Sequence, residues 1–442
     1  MSFSVESRSL PLITTRAISH PAVMKSFLAF ALAASCFPVA SMHAEDWPEF
    51  RGPDKQGHST ATGLPTEWSE RKNVAWKAEL PGRAWSSPVV IGDVIYMTNA
   101  VGKKDSTDPH DTYSLRVLAL NATDGKLLWD TELFNVDSPH TFGVHGKNSY
   151  ASPTPIYEGG RIYAHFGHFG TACVNAADGA VLWKNDTIKY SPVHGNGGCP
   201  VLVDGLLVFS CDAAQNPFIV ALDAASGSER WRFQRKADAK KTFSFSTPLV
   251  IEVGGAKQLI SPGSNVLSAL DPQTGKEIWH INYEGYSVIP RPVYGNGMIY
   301  FSTGYDRPSV IAVRADGKGD VTKTHIAWTI DRGAPHTPSM LLIDDGLYMV
   351  ADNGMVTCAD AKTGKIHYQE RVARQTSASP IYADGKIYIQ DELGSGYVLK
   401  PGRRLDLISK NELGDKSLAS YAVWKNKLLI RTQSALWCIG QG

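Results

Sequence analysis

"ALDPQTGKEIW", residues 269–279, decides the fold, because near-copies of it recur along the chain. "ALDAASGSERW" at 221–231 matches it closely, and shorter versions stand at 124–129 ("DGKLLW"), 178–183 ("DGAVLW") and 363–368 ("TGKIHY"). The stretch reads as the end of one strand, a tight turn and the start of the next. Asp271 and Thr274 can bond turn amides, and Gly275 supplies the positive φ that ends such a turn. The aromatic residue that follows buries a large area, and the indole N–H of a Trp needs one acceptor. Repeated once per unit, this is a ring of docking pins between neighbouring sheets.

Upstream of each copy lies a small residue with a proline and then a hairpin, as in "STPLVIEVGGAKQLIS" (246–261), "PRPVYGNGMIYFS" (290–302) and "ASPIYADGKIYIQ" (378–390). Asn296-Gly297 and Asp384-Gly385 are favoured two-residue hairpin turns. Units follow one another at roughly 40–50 residues, the spacing of propeller blades. Blades open near Pro88, Pro153, Pro200, Pro248, Pro292, Pro338, Pro380 and Tyr421. The last has only three strands, and "NVAWKAEL" (73–80) supplies its missing one, closing the circle and removing free edges. The expectation is an all-β, eight-bladed β-propeller of four-stranded antiparallel blades, with seven blades as the fallback. Its docking residues are Trp76, Trp129, Trp183, Trp231, Trp279 and Trp328, while Tyr368 and Ile408 fill the Trp slots of two degenerate repeats. Separate β-sandwiches do not account for the repeated turn.

The bulk numbers agree. At 442 residues the chain exceeds what one compact core usually holds, and 11 Trp with 40 Gly suit a turn-rich β protein. Its 44 Lys+Arg against 43 Asp+Glu give no broad basic field for nucleic acid. "MKSFLAFALAASCFPVASMHA" (24–44) reads as an export leader, with Met24 as the favoured start and Ala44 before the cleavage point. It is too short to remain as a membrane anchor. Residues 1–44 are therefore set aside, 45–67 form a mature N-terminal segment and 68–442 the propeller. Simple cleavage is favoured over lipidation at Cys36, because Ala33 stands where a lipoprotein box has a larger aliphatic. The mature chain is expected in the periplasm or outside the cell, and as a monomer.

Five cysteines remain after the leader. Cys173, Cys358 and Cys438 occupy the slot of Ala119, Ala221 and Ala269, so they read as small core residues. Cys199 and Cys211 face each other across a hairpin, either as a strained cross-strand disulfide or as two thiols.

The Ala-x-Asp-x-x-Thr-Gly-x-x-x-Trp repeat resembles that of the pyrroloquinoline-quinone (PQQ) propeller superfamily. "DWPEFRGPDKQG" (46–57) is similar to the segment that opens mature chains there. The resemblance covers the chain from about residue 46 and implies the fold more than the function. One branch, the quinoprotein dehydrogenases, holds PQQ and calcium above the axis, commonly between a Trp and a disulfide of adjacent cysteines, with an Asp as base. This chain has no adjacent cysteines, and no acid–amide calcium set can be placed on it. The other branch, typified by the outer-membrane assembly factor BamB, binds partner proteins without a cofactor. The resemblance tilts toward this second branch and implies an exported, non-enzymatic scaffold of the cell envelope; a PQQ- or metal-dependent oxidoreductase is the alternative. A plugged axis would favour the scaffold.

A site would lie on the face of the D-to-A and B-to-C loops, opposite the stereotyped turns. There, "HTFGVHGKNSY" (140–150), "HFGHFG" (165–170) and "SPVHGNGG" (191–198) bring His145, Asn148, Tyr150, His165, His168 and His194 toward one sector. Arg291, Asp306, Arg307, His336 and the pair Asp391 and Glu392 complete the circuit. The expectation is a polar funnel for a small ligand or a protein partner. His165 and His168 could share an ion with His145 or His194, but no standard ligand spacing supports it. No catalytic, cofactor-binding or metal residue is assigned.

Overall fold

The computed structural model describes residues 45–102, 112–136, 143–236 and 239–441. The leader, Cys36 and residues 140–142 of the first site loop lie outside them. Eight sheets follow in chain order, each built on four antiparallel strands. Blades 1 to 7 span 89–136, 156–185, 201–234, 249–282, 293–330, 341–371 and 381–412. Blade 8 joins Ala422–Trp424, Lys427–Arg431 and Ala435–Ile439 to Val74–Glu79, which pairs antiparallel with Ala435–Ile439. Among the described residues no helix is long and apolar enough to cross a membrane.

The repeated turn does what its residues require. Asp271 Oδ1 accepts the amides of Gln273 and Thr274, both at 2.9 Å. Trp76, Trp129, Trp183 and Trp328 donate their indole N–H to the carbonyls of Ala122, Ala176, Ala224 and Ala361 in the next blade, at 2.8 to 3.2 Å. Trp231 reaches the Pro272 carbonyl at 3.0 Å. Trp279 departs from the pattern and donates to Gln258 Oε1 at 2.9 Å. The long C-to-D connection of blade 5 folds back there, pairing Gly319 and Asp320 in parallel with Trp279 and His280. The buried apolar clusters lie between neighbouring blades, as the docking scheme demands.

Two details differ from the expectation by one residue of register, which in a strand exchanges the faces. Val398 opposes Ser409, so Ser409 holds the Trp slot of blade 7, and Ile408 points to solvent. The missing pin is replaced from elsewhere. Trp68 is buried there, its ring 6.5 Å from that of Tyr388 and tight against Gly396. In blade 3 the turn falls at Asp204-Gly205, so Val201 opposes Val208 and Val203 opposes Leu206. Cys199 and Cys211 therefore do not face each other. Both are free, Cys211 packed among apolar residues of blades 2 and 3 and Cys199 facing the funnel. Cys173, Cys358 and Cys438 oppose the aromatic pins Trp183, Tyr368 and Trp76 in the expected slot.

Candidate functional site

The chain's own N-terminal segment occupies the axis. Trp47 exchanges backbone hydrogen bonds with Val90 of blade 1 at 2.8 and 3.0 Å, and the Pro48 carbonyl accepts the amide of Tyr157 in blade 2 at 2.9 Å. Glu49 and Arg291, both buried, pair at 3.3 Å, and Arg291 also donates to the Phe50 carbonyl at 2.8 Å. Arg51 bonds the carbonyls of Met340, just before blade 6, at 2.5 Å and of Pro380, just before blade 7, at 3.2 Å. Burial lowers its guanidinium to about 9, which leaves it cationic at neutral pH. Gly57 has a φ of +96°, and a Cβ there would stand 2.6 Å from Arg51. The segment then adds His58–Ser59 as a parallel strand on Ile381–Ala383.

Above this plug a ring of side chains runs from blade to blade. The amide of Ser420 donates to Ser87 Oγ at 3.2 Å, that of Ser87 to Thr154 Oγ1 at 2.9 Å and that of Thr154 to Cys199 Sγ at 3.2 Å. The Cys199 amide in turn donates to Thr247 Oγ1 at 2.9 Å. Beyond a gap the ring resumes, with Arg291 N to Ser339 Oγ at 3.0 Å, Ser339 N to Ser379 Oγ at 2.9 Å and Ser379 N to Ser420 Oγ at 2.9 Å. The gap falls where Arg291 stands in the Ser/Thr position and turns its side chain to Glu49 instead. The small-residue-plus-proline blade starts are the sequence trace of this ring.

The ring and the half-buried Phe50 line the base of a funnel of about 760 Å³, within the range of small-ligand sites. Its wall carries an arc of rings in succession: His145–His194 at 5.5 Å, His194–Phe243 at 5.7 Å, Phe243–Tyr286 at 5.6 Å, Tyr286–Tyr305 at 6.1 Å and Tyr305–His336 at 5.5 Å. Burial, with His145 close by, lowers the His194 pKa. Lys241 donates to Tyr286 Oη at 2.7 Å, and that hydroxyl donates to Asp306 at 2.9 Å. Lys147 crosses from the loop before blade 2 to Glu392 of blade 7, at 2.7 Å. Glu392 also accepts from Ser377 Oγ at 2.6 Å. Asp352 accepts the amides of His336 and Thr337 at 2.8 and 3.0 Å and the Thr337 hydroxyl at 2.6 Å.

Of the residues expected at the mouth, His145, Asn148, His194 and His336 line the funnel; Glu392 reaches it through Lys147, and Asp306 through Tyr286. Asn148 is a loop brace, its amide donating to the His194 carbonyl at 2.9 Å. The others are elsewhere. His165 is buried against Phe209, ring centroids 4.2 Å apart, and His168 against Phe169 at 3.9 Å. Tyr150 packs on Tyr113 at 4.6 Å. Arg291 belongs to the plug. Buried Asp391 caps a turn, accepting the amides of Leu393 and Ser395 and the Tyr397 hydroxyl at 2.9 to 3.0 Å. Arg307 is exposed beside Asp306 and does not line the funnel. Among the described residues no group of three His, Cys, Asp or Glu comes close enough to hold a metal. Sequence reasoning missed Phe50, Lys147, Lys241, Phe243 and Tyr286. Lys241 and Phe243 belong to a D-to-A loop and had the same claim as the histidines.

A closed ring of tryptophan-docked blades with its axis filled from its own N-terminus defines the class: a β-propeller of PQQ-like repeats. Residues 114–340 and 320–405 match the family described as outer membrane protein assembly factor BamB, and the chain belongs to that family. It is similar to the outer membrane protein assembly factor BamB of Yersinia pestis, 23% identical over 361 residues, covering 79% of this chain and 76% of that protein. It is also similar to the dehydrogenase subunit of the quinone alcohol dehydrogenase of Gluconobacter oxydans, 25% identical over 295 residues and 63% of this chain. That match spans only 35% of the dehydrogenase subunit, and a match to the tetrathionate hydrolase of Acidithiobacillus ferrooxidans spans 43% of that protein. Among solved structures, a europium-containing methanol dehydrogenase superimposes with a TM-score of 0.64 over 88% of this chain and 90% of that one, at 11% identity, a likeness of fold alone.

Proposed function

We propose that this chain is an exported, cofactor-independent binding propeller of the cell envelope, which engages a protein partner through the rim of the funnel. The observation that carries this reading is the filled axis: the plug puts Phe50 at the funnel base, and Asp352, the carboxylate that lines the funnel, is already engaged by the protein, as is Glu392 beside it. A quinone held by calcium needs oxygen ligands free to turn to the ion. Asp352 is occupied by two amides and a hydroxyl, and Glu392 by Lys147 and Ser377. Cys199 stands there as a single thiol, with no second cysteine to form a stacking disulfide. In this reading the residues present do not fit that group. The rim, by contrast, offers Tyr305 and Leu393, each 55% exposed, as apolar contacts. The family likeness to BamB and the expected leader support the envelope.

The test is to place a photo-cross-linking residue at Tyr305 in the full chain, expressed in its own cells. A discrete cross-linked envelope protein is expected. No cross-link, together with dye reduction by chain loaded with PQQ and calcium, would replace the binding reading with the oxidoreductase one.

A further inference from the structure

We infer, on the basis of the binding reading above, that the aromatic arc on the funnel wall seats an extended, proline-rich segment of the partner protein, with a basic residue of that segment at the Tyr305 end. All six rings from His145 round to His336 are exposed or half-buried, although each touches the next. So long a run of aromatic surface left in water marks a binding surface. Each ring is turned edge-on to its neighbour, by 67 to 85°, so the wall is a row of notches and not a flat platform. The Tyr286 face is covered besides by Lys241, 4.1 Å from the ring centroid. A sugar or a planar ligand, which needs open faces to stack on, gains little there. The puckered ring of a proline fits between two rings set at an angle. Segments in the polyproline II helix dock on aromatic-lined grooves and arrive already extended, so little order is lost on binding. Every third residue of that helix returns to the same side after ~9.3 Å, somewhat less than two steps along the arc. About nine residues, at ~3.1 Å each, would span it from end to end.

The polar groups of the wall select the same ligand. Asp352 and the Tyr286 hydroxyl are engaged within the protein, whereas the Tyr305 hydroxyl and the rings of His194 and His336 bond no described residue. Each of these three open groups has a proton to donate. A proline-rich backbone offers free carbonyls and few N–H groups, which suits a wall whose donors are open and whose carboxylates are engaged. Charge then sets the direction. Asp306 accepts only the Tyr286 hydroxyl, and the Asp352 carboxylate only two amides and a hydroxyl, so neither forms an ion pair with a described cation. They flank Tyr305 and His336, and an arginine or lysine placed there meets two carboxylates and an exposed tyrosine ring.

Fluorescence anisotropy of labelled peptides on the purified chain tests this without the native partner. The first probe is three Ala-Pro-Pro repeats ending in two arginines. The second has alanine at every proline, the third has glutamate for both arginines, and unlabelled chitohexaose is the competitor. The first probe is expected to bind one per chain, the alanine peptide at least roughly tenfold and the glutamate peptide at least roughly fivefold more weakly. Tyr305→Ala, at an exposed position, should weaken the first probe roughly fivefold or more. Asp306→Asn should bring the arginine and glutamate peptides within roughly twofold of each other. Equal affinity for the proline and alanine peptides, no binding of any peptide, a Tyr305→Ala titration that matches the parent, or displacement by chitohexaose would overturn the assignment, the last in favour of a glycan. A cross-link at Tyr305 without peptide binding would keep the partner and discard the proline-rich segment. Peptide binding without a cross-link would do the reverse.

Discussion

His165 and His168 show how a polar residue can be conspicuous in a sequence and silent at a surface. Burial lowers the His165 pKa to about 3, and burial with Lys189 nearby lowers that of His168 to about 4. His165 bonds Thr171 Oγ1 through Nδ1 at 2.8 Å, while its buried Nε2 meets no partner among the described residues. The native chain therefore keeps both rings neutral, whereas the unfolded chain protonates them near their ordinary 6.5. Their contribution is complete above that value and is lost as the pH falls toward the folded values. Near pH 5 the pair should cost about 2.7 kcal/mol of stability per pH unit. Urea unfolding of the parent and of His165→Gln between pH 7 and 4.5 checks this; the variant should lose about half of that slope. The four residues that do line the funnel were legible because they sit on loops whose face the blade topology fixes. His165 was misplaced because it ends a strand, where one residue of register decides between the mouth and the core.

The docking turn is where the repeat fixes one blade to the next, and its glycine carries two constraints at once. Gly227 has a φ of +74°, and a Cβ there would stand 2.5 Å from the Trp183 ring. Gly205 has a φ of +78° with open space around it. Gly227→Ala should therefore cost about 2–4 kcal/mol, and Gly205→Ala only about 1 kcal/mol, of backbone strain. The difference between their urea midpoints measures the pin itself. Trp68→Ala should cost about 3–5 kcal/mol, like the loss of a docking Trp, because it fills the place that Ser409 leaves empty. The blades were legible because a Trp turn and a proline start mark most of them. The borrowed pin was not, since Trp68 carries no turn motif and lies a whole chain away from Ser409.

At the scale of the molecule, the N-terminal segment ties the ring together from within. Glu49→Gln would leave Arg291 buried opposite an uncharged partner and should destabilise the chain by about 3–5 kcal/mol. Adding Arg291→Ser removes the unpaired charge and puts a hydroxyl at the one ring position that holds neither a hydroxyl nor a thiol, so the double variant should recover most of that loss. A double-mutant cycle by urea unfolding checks the coupling. Closure of the ring by 73–80 could be read because the last blade was a strand short. The filling of the axis could not, because "DWPEFRGPDKQG" has no period of its own and takes its shape from five blades that follow it. The pairing of Val74–Glu79 with Ala435–Ile439 also sets a clock. During synthesis the early strand exists for on the order of 20 to 70 s before its partner leaves the ribosome, at ordinary rates of elongation. Through that interval Trp76 and its neighbours form an open edge of the kind that invites aggregation. A permuted gene that places 45–79 behind Ile439 would deliver both strands almost together, and its product should aggregate less during synthesis than the parent.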